Sequence, residues 1–329
     1  MKPLLIVNPR AGGGRTGALF TKMADPIERS LGSFDAAFTE RGRHAVEIAR
    51  DAALEGRETV IAVGGDGSIH EVVAGLMAAR AQGAKGTRLG IIGQGTGGDF
   101  RKTLGIEHRL DKYCGAIAAG KTRAVDVGRF SYLTHEEESS TSYFINILSI
   151  GMGGLVDRYV ADASRALGGT LAYFSASLRG LVHSEIGVLN CTIHENGKSR
   201  EEEIHSRLLA ICNGRYFGSG MFIAPMADVD DGFFEVVSLG SASRLSFALS
   251  SSKIYTGAHL ENPETKHFRC DKITIELANP KVREKYLLDV DGEPLGKLPL
   301  EVELLPGALE VFAPDVGAAG RANDVFNAA

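Results

Sequence analysis

The chain has 329 residues, of which 44% are hydrophobic and 23% are charged, so it is long enough to bury a sizeable core and to divide into two domains. It carries 36 Lys and Arg against 41 Asp and Glu, a formal net charge of -5, which argues against a dedicated nucleic-acid binder that neutralises phosphates. The four cysteines are scattered with no CxxC pair, which favours reduced, packed thiols in an intracellular protein. The sequence contains no apolar run of about eighteen residues, so no segment is expected to span a bilayer.

Short apolar runs alternate with helical patterns over roughly the first 125 residues, which is typical of a parallel sheet flanked by helices. The predicted strands are Leu4–Val7, residues 59–63 and residues 89–92, and each runs into a glycine-containing loop. Ligands in open α/β sheets collect at the carboxyl ends of strands. We therefore expect the three loops to line one crevice.

A different pattern begins after residues 126–128, where most apolar runs have β character and few are followed by a helix. This predicts a second, mainly antiparallel β domain. An apolar stripe along residues 167–181 predicts a helix packed on that domain's core, and residues 131–142 predict a solvated hairpin turn. The strands are predicted at residues 188–194, 208–212, 233–238, 273–277, 286–290 and 300–304.

The segment Ala-Val-Gly-Gly-Asp-Gly-Ser at residues 62–68 lies between a predicted strand and a predicted helix. Glycines let backbone N–H groups approach a ligand, and the helix N-terminus attracts an anion, so phosphate is the natural ligand. Ser68 and Glu71 predict a capping box for that helix. The alternative is a tight turn in which Asp66 accepts hydrogen bonds from nearby backbone N–H groups. The segment is neither a Walker loop nor a GxGxxG motif.

Two further glycine loops follow the other predicted strands. Residues 93–100 supply the hydroxyl of Thr96 and the carboxylate of Asp99, which suit a nucleotide or its metal ion; a simple turn with Asp99 as a helix cap is the alternative. Residues 8–15 place Arg10 and Arg15 beside glycines, and guanidinium groups suit phosphate, although solvated surface arginines are an equally simple explanation.

The three loops, in this order and at this spacing, resemble the diacylglycerol kinase catalytic domain and the bacterial lipid kinases related to it. The resemblance continues through the second half and covers the chain from Leu4 to about Pro314. Its further matches are Phe144-Ile145-Asn146 with Ser149-Ile150-Gly151, Ala224-Pro225 through Asp230-Asp231-Gly232-Phe233, Tyr255-Thr256-Gly257-Ala258-His259, and Asp291-Gly292-Glu293-Pro294.

The resemblance implies an ATP-dependent lipid kinase whose proton acceptor is Asp291, with Glu293 beside it; a plain Asp-Gly hairpin turn is the alternative for this segment. It also implies a structural Mg²⁺ ion held by Asp228, Asp231 and the carbonyl of Phe233, unless these residues form an acidic turn without an ion. The residues it assigns to ATP are Thr39, Gly64, Gly65, Asp66, Gly67, Ser68, His70 and Thr96, and the glycine loops themselves add Asn8, Arg15 and Asp99 as candidate nucleotide contacts.

The same resemblance predicts the domain boundaries and the setting. Residues 1–127 would form the α/β ATP-binding domain, completed by residues 307–329, and residues 128–306 the β-rich lipid-substrate domain. We expect a cytoplasmic enzyme of phospholipid metabolism that contacts the inner face of the membrane peripherally, with a homodimer as one open assembly and no nucleic-acid partner.

Three departures from the family pattern concern the glycine loops. Family members usually carry Thr, Pro and Asn where this chain has Ser68, Gln94 and Gly98. Ser68 keeps a hydroxyl, whereas Gly98 lacks a side-chain amide beside Asp99. Two other functions remain open. One is a kinase of a soluble substrate, since phosphofructokinase and NAD kinase have a motif similar to Gly-Gly-Asp-Gly-Ser at residues 64–68. The other, suggested by Gln94 and Gly98, is a nucleotide- or lipid-binding protein without turnover.

Overall fold

The three glycine loops follow three strands of one parallel sheet. The computed structural model describes residues 1–95, 97–154, 180, 183–240, 243, 247 and 251–314. They fall into a first unit, Met1–Val127 with the described residues after Leu305, and a second unit, Gly128–Leu305. Thr96 and nearly all of the predicted helix at residues 167–181 lie outside the described residues.

The first unit is built on a parallel sheet whose strands lie in the order β4, β3, β1, β2, with the end of β15 beside β4. Buried aliphatic side chains fill β1, β3 and β4, because both faces of a parallel sheet are covered by helices. The strands are β1 Leu4–Val7, β2 Asp35–Phe38, β3 Thr59–Gly64, β4 Arg88–Gly93 and β15 Glu293–Phe312.

Helices connect these strands and differ in how much of their surface is buried. Phe20, Met23 and Ile27 recur at helical spacing and form the apolar face of α1. Helices α2 and α3 pack closely, since a Cβ atom on Gly75 of α3 would lie 2.3 Å from the carbonyl oxygen of Val46. The helices are α1 Arg15–Leu31, α2 His44–Leu54, α3 Asp66–Ala81, α4 Asp99–Thr103 and α5 Leu110–Ala118.

The second unit contains two antiparallel sheets that share β15. One has the order β12, β11, β10, β7, β14, β15, and in the other β9 pairs with β8, β8 with β13, and β13 with β15. Strands β5 and β6 form a hairpin. The strands are β5 Thr122–Leu133, β6 Ser139–Phe144, β7 Ile147–Gly151, β8 Gly187–Glu195, β9 Lys198–Ser206, β10 Leu208–Cys212, β11 Phe234–Leu239, β12 Thr265–Cys270, β13 Lys272–Leu277 and β14 Leu287–Val290.

One hydrophobic core joins residues from both sheets of the second unit, and another covers the opposite face of β7, β10 and β11. The predicted α/β fold class with a mainly antiparallel β part is therefore confirmed. The predicted turn at residues 131–142 was too long: both ends of that segment belong to β5 and β6, and only residues 134–138 form the connection. Ser and Thr side chains pair across this hairpin, as in the Ser131–Thr141 contact of 3.2 Å, which explains why a polar segment forms strands.

Candidate active site

Direct contacts bring the three glycine loops together at the carboxyl ends of β1, β3 and β4. The side-chain amide of Asn8 donates to Ser68 Oγ at 2.9 Å, and the N–H of Gln94 donates to the carbonyl of Gly64 at 2.7 Å. A Cβ atom on Gly12 would lie 2.6 Å from the carbonyl oxygen of Gln94. The loops thus form one continuous backbone surface, as expected for strand ends of an open sheet.

Asp66 joins the second and third of these loops. Its Oδ2 accepts the N–H of Gly98 at 2.8 Å, and its Oδ1 accepts the N–H groups of Asp99 at 3.0 Å and Phe100 at 3.3 Å. Burial raises the pKa of Asp66, the charge of Asp99 adds to the rise, and the three N–H groups oppose it. Asp66 therefore caps the start of α4, and its donors belong to a different loop and not to a local turn as in the alternative interpretation of the sequence.

The other residues assigned to ATP lie around these loops in different states of exposure. Asp99 is buried and its Oδ1 accepts a hydrogen bond from Lys102 Nζ at 2.9 Å. Arg15 is exposed and its Nε donates to the carbonyl of Gly12 at 2.9 Å. Ser68 and His70 are buried in the first turns of α3, and buried Thr39 directly follows β2.

The predicted capping box of α3 is wrong. Helix α3 begins at Asp66, two residues before Ser68, and follows Gly65. Glu71 instead accepts the N–H groups of Arg43 at 2.8 Å and Ala45 at 3.2 Å, at the start of α2. The local pattern misled because the tertiary contact between α2 and α3 gives the carboxylate better donors than its own helix does.

Asp291 lies in the turn between β14 and β15 and is largely buried, with a positive φ of 52°. Its Oδ1 accepts the N–H groups of Asn146 at 3.1 Å and Ile147 at 2.9 Å, and its Oδ2 accepts that of Ile145 at 3.2 Å. The carboxylate thus fixes the backbone that links β6 to β7. Its role as proton acceptor stays a prediction, whereas these hydrogen bonds give it a structural role.

Asp289, which no sequence motif singled out, supports the same turn together with Ser149. Asp289 is buried; its Oδ1 accepts the N–H of Gly292 at 3.0 Å and its Oδ2 accepts the hydroxyl of Ser149 at 3.1 Å. Asp289 lies within the apolar strand β14, and Asp291 follows two positions later in the turn. The available signal was the carboxylate inside an apolar strand, because a buried acidic side chain needs buried partners.

Asp231, one of the predicted magnesium ligands, is already engaged within the protein. The N–H of Phe233 donates to Asp231 Oδ1 at 3.0 Å, and Arg269 forms an ion pair with Asp231 Oδ2. Burial raises the pKa of Asp231 to about 6; Arg269 opposes the rise, whereas Glu235 and Asp228 add to it. In the described part of the chain, no three His, Cys, Asp or Glu side chains gather as a metal site. The residues present therefore do not fit an open magnesium site.

Comparison with known proteins agrees with this architecture. Residues 2–130 match the diacylglycerol kinase catalytic domain, and residues 146–313 match the YegS C-terminal NAD kinase beta sandwich-like domain. The diacylglycerol kinase of Bacillus subtilis strain 168 is 28% identical over 318 residues, which cover 94% of this chain and 95% of the relative. A protein of Chromohalobacter salexigens named "Probable lipid kinase YegS-like" is 31% identical, with 84% of this chain and 83% of the relative covered.

Solved structures share the fold over nearly the whole length. The crystal structure of a diacylglycerol kinase from Bacillus anthracis str. Sterne superposes with a TM-score of 0.66 at 23% identity, covering 95% of this chain and 97% of the other. Another crystal structure from that organism gives a TM-score of 0.73 at 24% identity, with 95% of each chain covered. These likenesses establish the fold.

The fold and the three glycine loops define a kinase that transfers phosphate to a hydroxyl group. The chain belongs to the diacylglycerol kinase catalytic-domain family, whose bacterial members include the YegS-like lipid kinases. The predicted resemblance is thus confirmed. None of the helices among the described residues is long and apolar enough to cross a membrane.

Proposed function

We propose that this protein is an ATP-dependent lipid kinase that transfers the γ-phosphate of ATP to a hydroxyl group of a lipid such as diacylglycerol. The observation that carries the proposal is the convergence of the three glycine loops at the strand ends, in a chain of the diacylglycerol kinase family. The names of the relatives from Bacillus subtilis and Chromohalobacter salexigens support a lipid as the acceptor class.

The nucleotide is proposed to bind at the backbone of the glycine loops. Gly65 and Gly67 flank Asp66 at the start of α3, where N–H groups without helical partners favour phosphate oxygens. Thr39 and Arg15 are the proposed contacts around the nucleotide, and Mg²⁺ carried by ATP would neutralise phosphate charge. Asp66, which accepts a hydrogen bond from the backbone N–H of Gly98 in the loop after β4, is proposed to position that loop for the nucleotide.

Asp291, in the turn between β14 and β15, is proposed to be the proton acceptor, with Glu293 beside it at the start of β15. In the reaction, the lipid oxygen forms a bond to the γ-phosphorus, the bond between that phosphorus and the β–γ bridging oxygen breaks, and ADP leaves. The hydroxyl proton passes to a carboxylate within hydrogen-bond reach. Because Asp291 also accepts three backbone N–H groups, it would fix the neighbouring backbone as well as accept the proton.

The lipid substrate also determines the proposed setting. A diacyl lipid is embedded in a bilayer, so the enzyme would contact the membrane surface peripherally. We propose a cytoplasmic protein that visits the inner face of the membrane for turnover. Vesicle sedimentation with and without the substrate lipid measures this contact; a protein that phosphorylates only a soluble compound and never sediments with vesicles would contradict it.

The decisive assay offers the purified protein γ-labelled ATP together with separate acceptors. Vesicles containing diacylglycerol, phosphatidylglycerol or a sphingoid base are compared with NAD and fructose 6-phosphate. We expect labelled product only in a lipid fraction. Label on NAD or the sugar phosphate would establish a soluble-substrate kinase. ATP binding by calorimetry with no transfer to any acceptor would establish a binding protein without turnover.

A further inference from the structure

Arg269, on β12 of the second unit, is the centre of a charged cluster. Its guanidinium forms an ion pair with Asp231, its Nε lies 3.1 Å from Glu235 Oε1, and its charge lies over the ring of Phe233 at 4.4 Å from the ring centre. His267 Nε2 lies 2.5 Å from the other oxygen of Glu235. In this cluster, one guanidinium and one imidazole therefore lie against two carboxylates.

The sheet register fixes this cluster in place. Glu235 on β11 lies directly opposite Arg269 on β12 in the antiparallel pair. Only 4% of Glu235 is exposed, and a buried carboxylate needs a cation or hydrogen-bond donors to offset its lost hydration. Packing of the guanidinium on Phe233 further restricts where Arg269 can point. Arg269 is thus held beside Asp231 by the strand that carries it.

A divalent ion and this guanidinium compete for the same carboxylate. Mg²⁺ takes nearly octahedral oxygen ligands at about 2.0–2.1 Å, and a positive charge beside one of those oxygens repels it. Asp231, which the family resemblance assigns to the ion, already receives the N–H of Phe233 on one oxygen and Arg269 on the other. The donor set that remains does not match what magnesium requires.

We infer that Arg269 takes the place of the structural magnesium ion, so that the unit Gly128–Leu305 reaches its full stability without a bound divalent cation. The inference concerns the stability of this unit and does not depend on the proposed function. It has a direct corollary: removal of the guanidinium takes away the cation that pairs with Asp231, so Asp231, Asp228 and the carbonyl of Phe233, the ligands that the family resemblance assigns, should then favour a divalent cation.

Thermal unfolding of the nucleotide-free protein tests the inference. The wild type, Arg269→Met and Arg129→Met are each melted in excess EDTA and in millimolar Mg²⁺ at matched ionic strength. Arg129→Met is the matched control, because Arg129 pairs with Glu303 in the same unit but has no link to the proposed ion site. For the wild type and for the control, the melting temperature in EDTA should equal the melting temperature in Mg²⁺. Arg269→Met should melt lower in EDTA, by more than about 4 °C, and should regain part of that loss in Mg²⁺.

Two results would overturn the inference. One is a wild type that is stabilised by Mg²⁺ and weakened by EDTA, provided that Asp231→Asn abolishes this response, because an ion would then bind beside Arg269. The other is an Arg269→Met protein that folds but ignores Mg²⁺, because the guanidinium would then not occupy an ion's place. If Arg269→Met does not fold, the inference is tested by the effect of Mg²⁺ on the melting temperatures of wild type and Asp231→Asn. The inference is supported when Mg²⁺ changes neither melting temperature.

Discussion

Gly65 and Gly95 lie backbone against backbone: a Cβ atom on Gly95 would approach the Cα atom of Gly65 to 2.7 Å, and one on Gly65 would lie 3.3 Å from the Cα atom of Gly95. These glycines belong to two different loops, and their contact sets how closely the loops approach. The need for glycine here is steric, since neither residue has a positive φ. The proposed phosphate site depends on this spacing.

Gly95→Ala should therefore push the two loops apart and weaken nucleotide binding. Backbone atoms on both sides cannot yield as a flexible side chain would, and overpacking of this kind costs about 1–3 kcal/mol. We expect ATP affinity to fall about tenfold or more, which corresponds to ~1.4 kcal/mol, as measured by calorimetry.

The matched control for this substitution is Gly115→Ala within α5. Nothing lies within 4 Å of the Cβ position of Gly115, and alanine in a helix interior is favoured over glycine by about 1 kcal/mol. The control should be slightly more stable and bind ATP normally. Normal ATP affinity in Gly95→Ala would mean that the nucleotide does not use the surface formed by these loops.

Much of the fold could be predicted from strong local patterns. Edge strands and tertiary partners could not be predicted in this way. The apolar run at Leu208–Cys212 gave the observed bounds of β10. Strand β9, Lys198–Ser206, was missed because β8 is its one partner strand in the described part of the chain and because it carries charged, exposed residues. The glycine loops were readable as motifs, but the three N–H donors to Asp66 lie 32 to 34 residues away in the chain, and no local pattern encodes them.

Asp66→Asn should lower stability and ATP affinity together. An amide retains one oxygen acceptor and places N–H groups against the donors of Gly98 or Asp99, so at least one buried donor loses its partner, at a cost of about 1–3 kcal/mol. Chemical denaturation and calorimetry measure the two losses. Asp51→Asn serves as control, because Asp51 is exposed and its one ion pair among the described residues is with its neighbour Arg50; we expect a change within about 0.5 kcal/mol. Wild-type stability combined with lost ATP binding would instead assign Asp66 to direct nucleotide contact.

The raised pKa of Asp231 predicts a pH dependence of stability. Its pKa is 3.8 in the unfolded reference and about 6 in the folded protein, so between these values the folded state binds more protons than the unfolded state. Stability contributed by this group should therefore fall as pH rises from about 4 to about 6 and stay level above that.

The measurement for Asp231 is the free energy of unfolding of wild type and Asp231→Asn by denaturant across this pH range. The difference between the two proteins isolates the group, because other acids, including Asp66, are common to both. The advantage of wild type over the variant should shrink as pH rises through the window. An advantage that grows with pH would mean that Arg269 outweighs burial and lowers the pKa of Asp231.

Asp291 in the β14–β15 turn and Glu293 at the start of β15 should respond differently to removal of their charge. Asp291→Asn removes an acceptor shared by three backbone N–H groups, so we expect a loss of about 1–3 kcal/mol in stability as well as reduced turnover. Glu293→Gln should leave stability within about 0.5 kcal/mol if that carboxylate acts only in proton transfer, while turnover falls at least about a hundredfold.

Denaturant unfolding measures the loss of stability, and initial rates with saturating ATP and lipid measure the loss of turnover. The pH dependence of kcat is a further measurement, because a residue with a purely structural role would not change it. If Asp291 positions the turn and Glu293 accepts the proton, Asp291→Asn keeps the pH profile of wild type at a lower rate, whereas Glu293→Gln loses its acidic limb. If Asp291 is itself the acceptor, the acidic limb disappears in Asp291→Asn and persists in Glu293→Gln. Near-normal turnover in both variants would exclude this turn from proton transfer altogether.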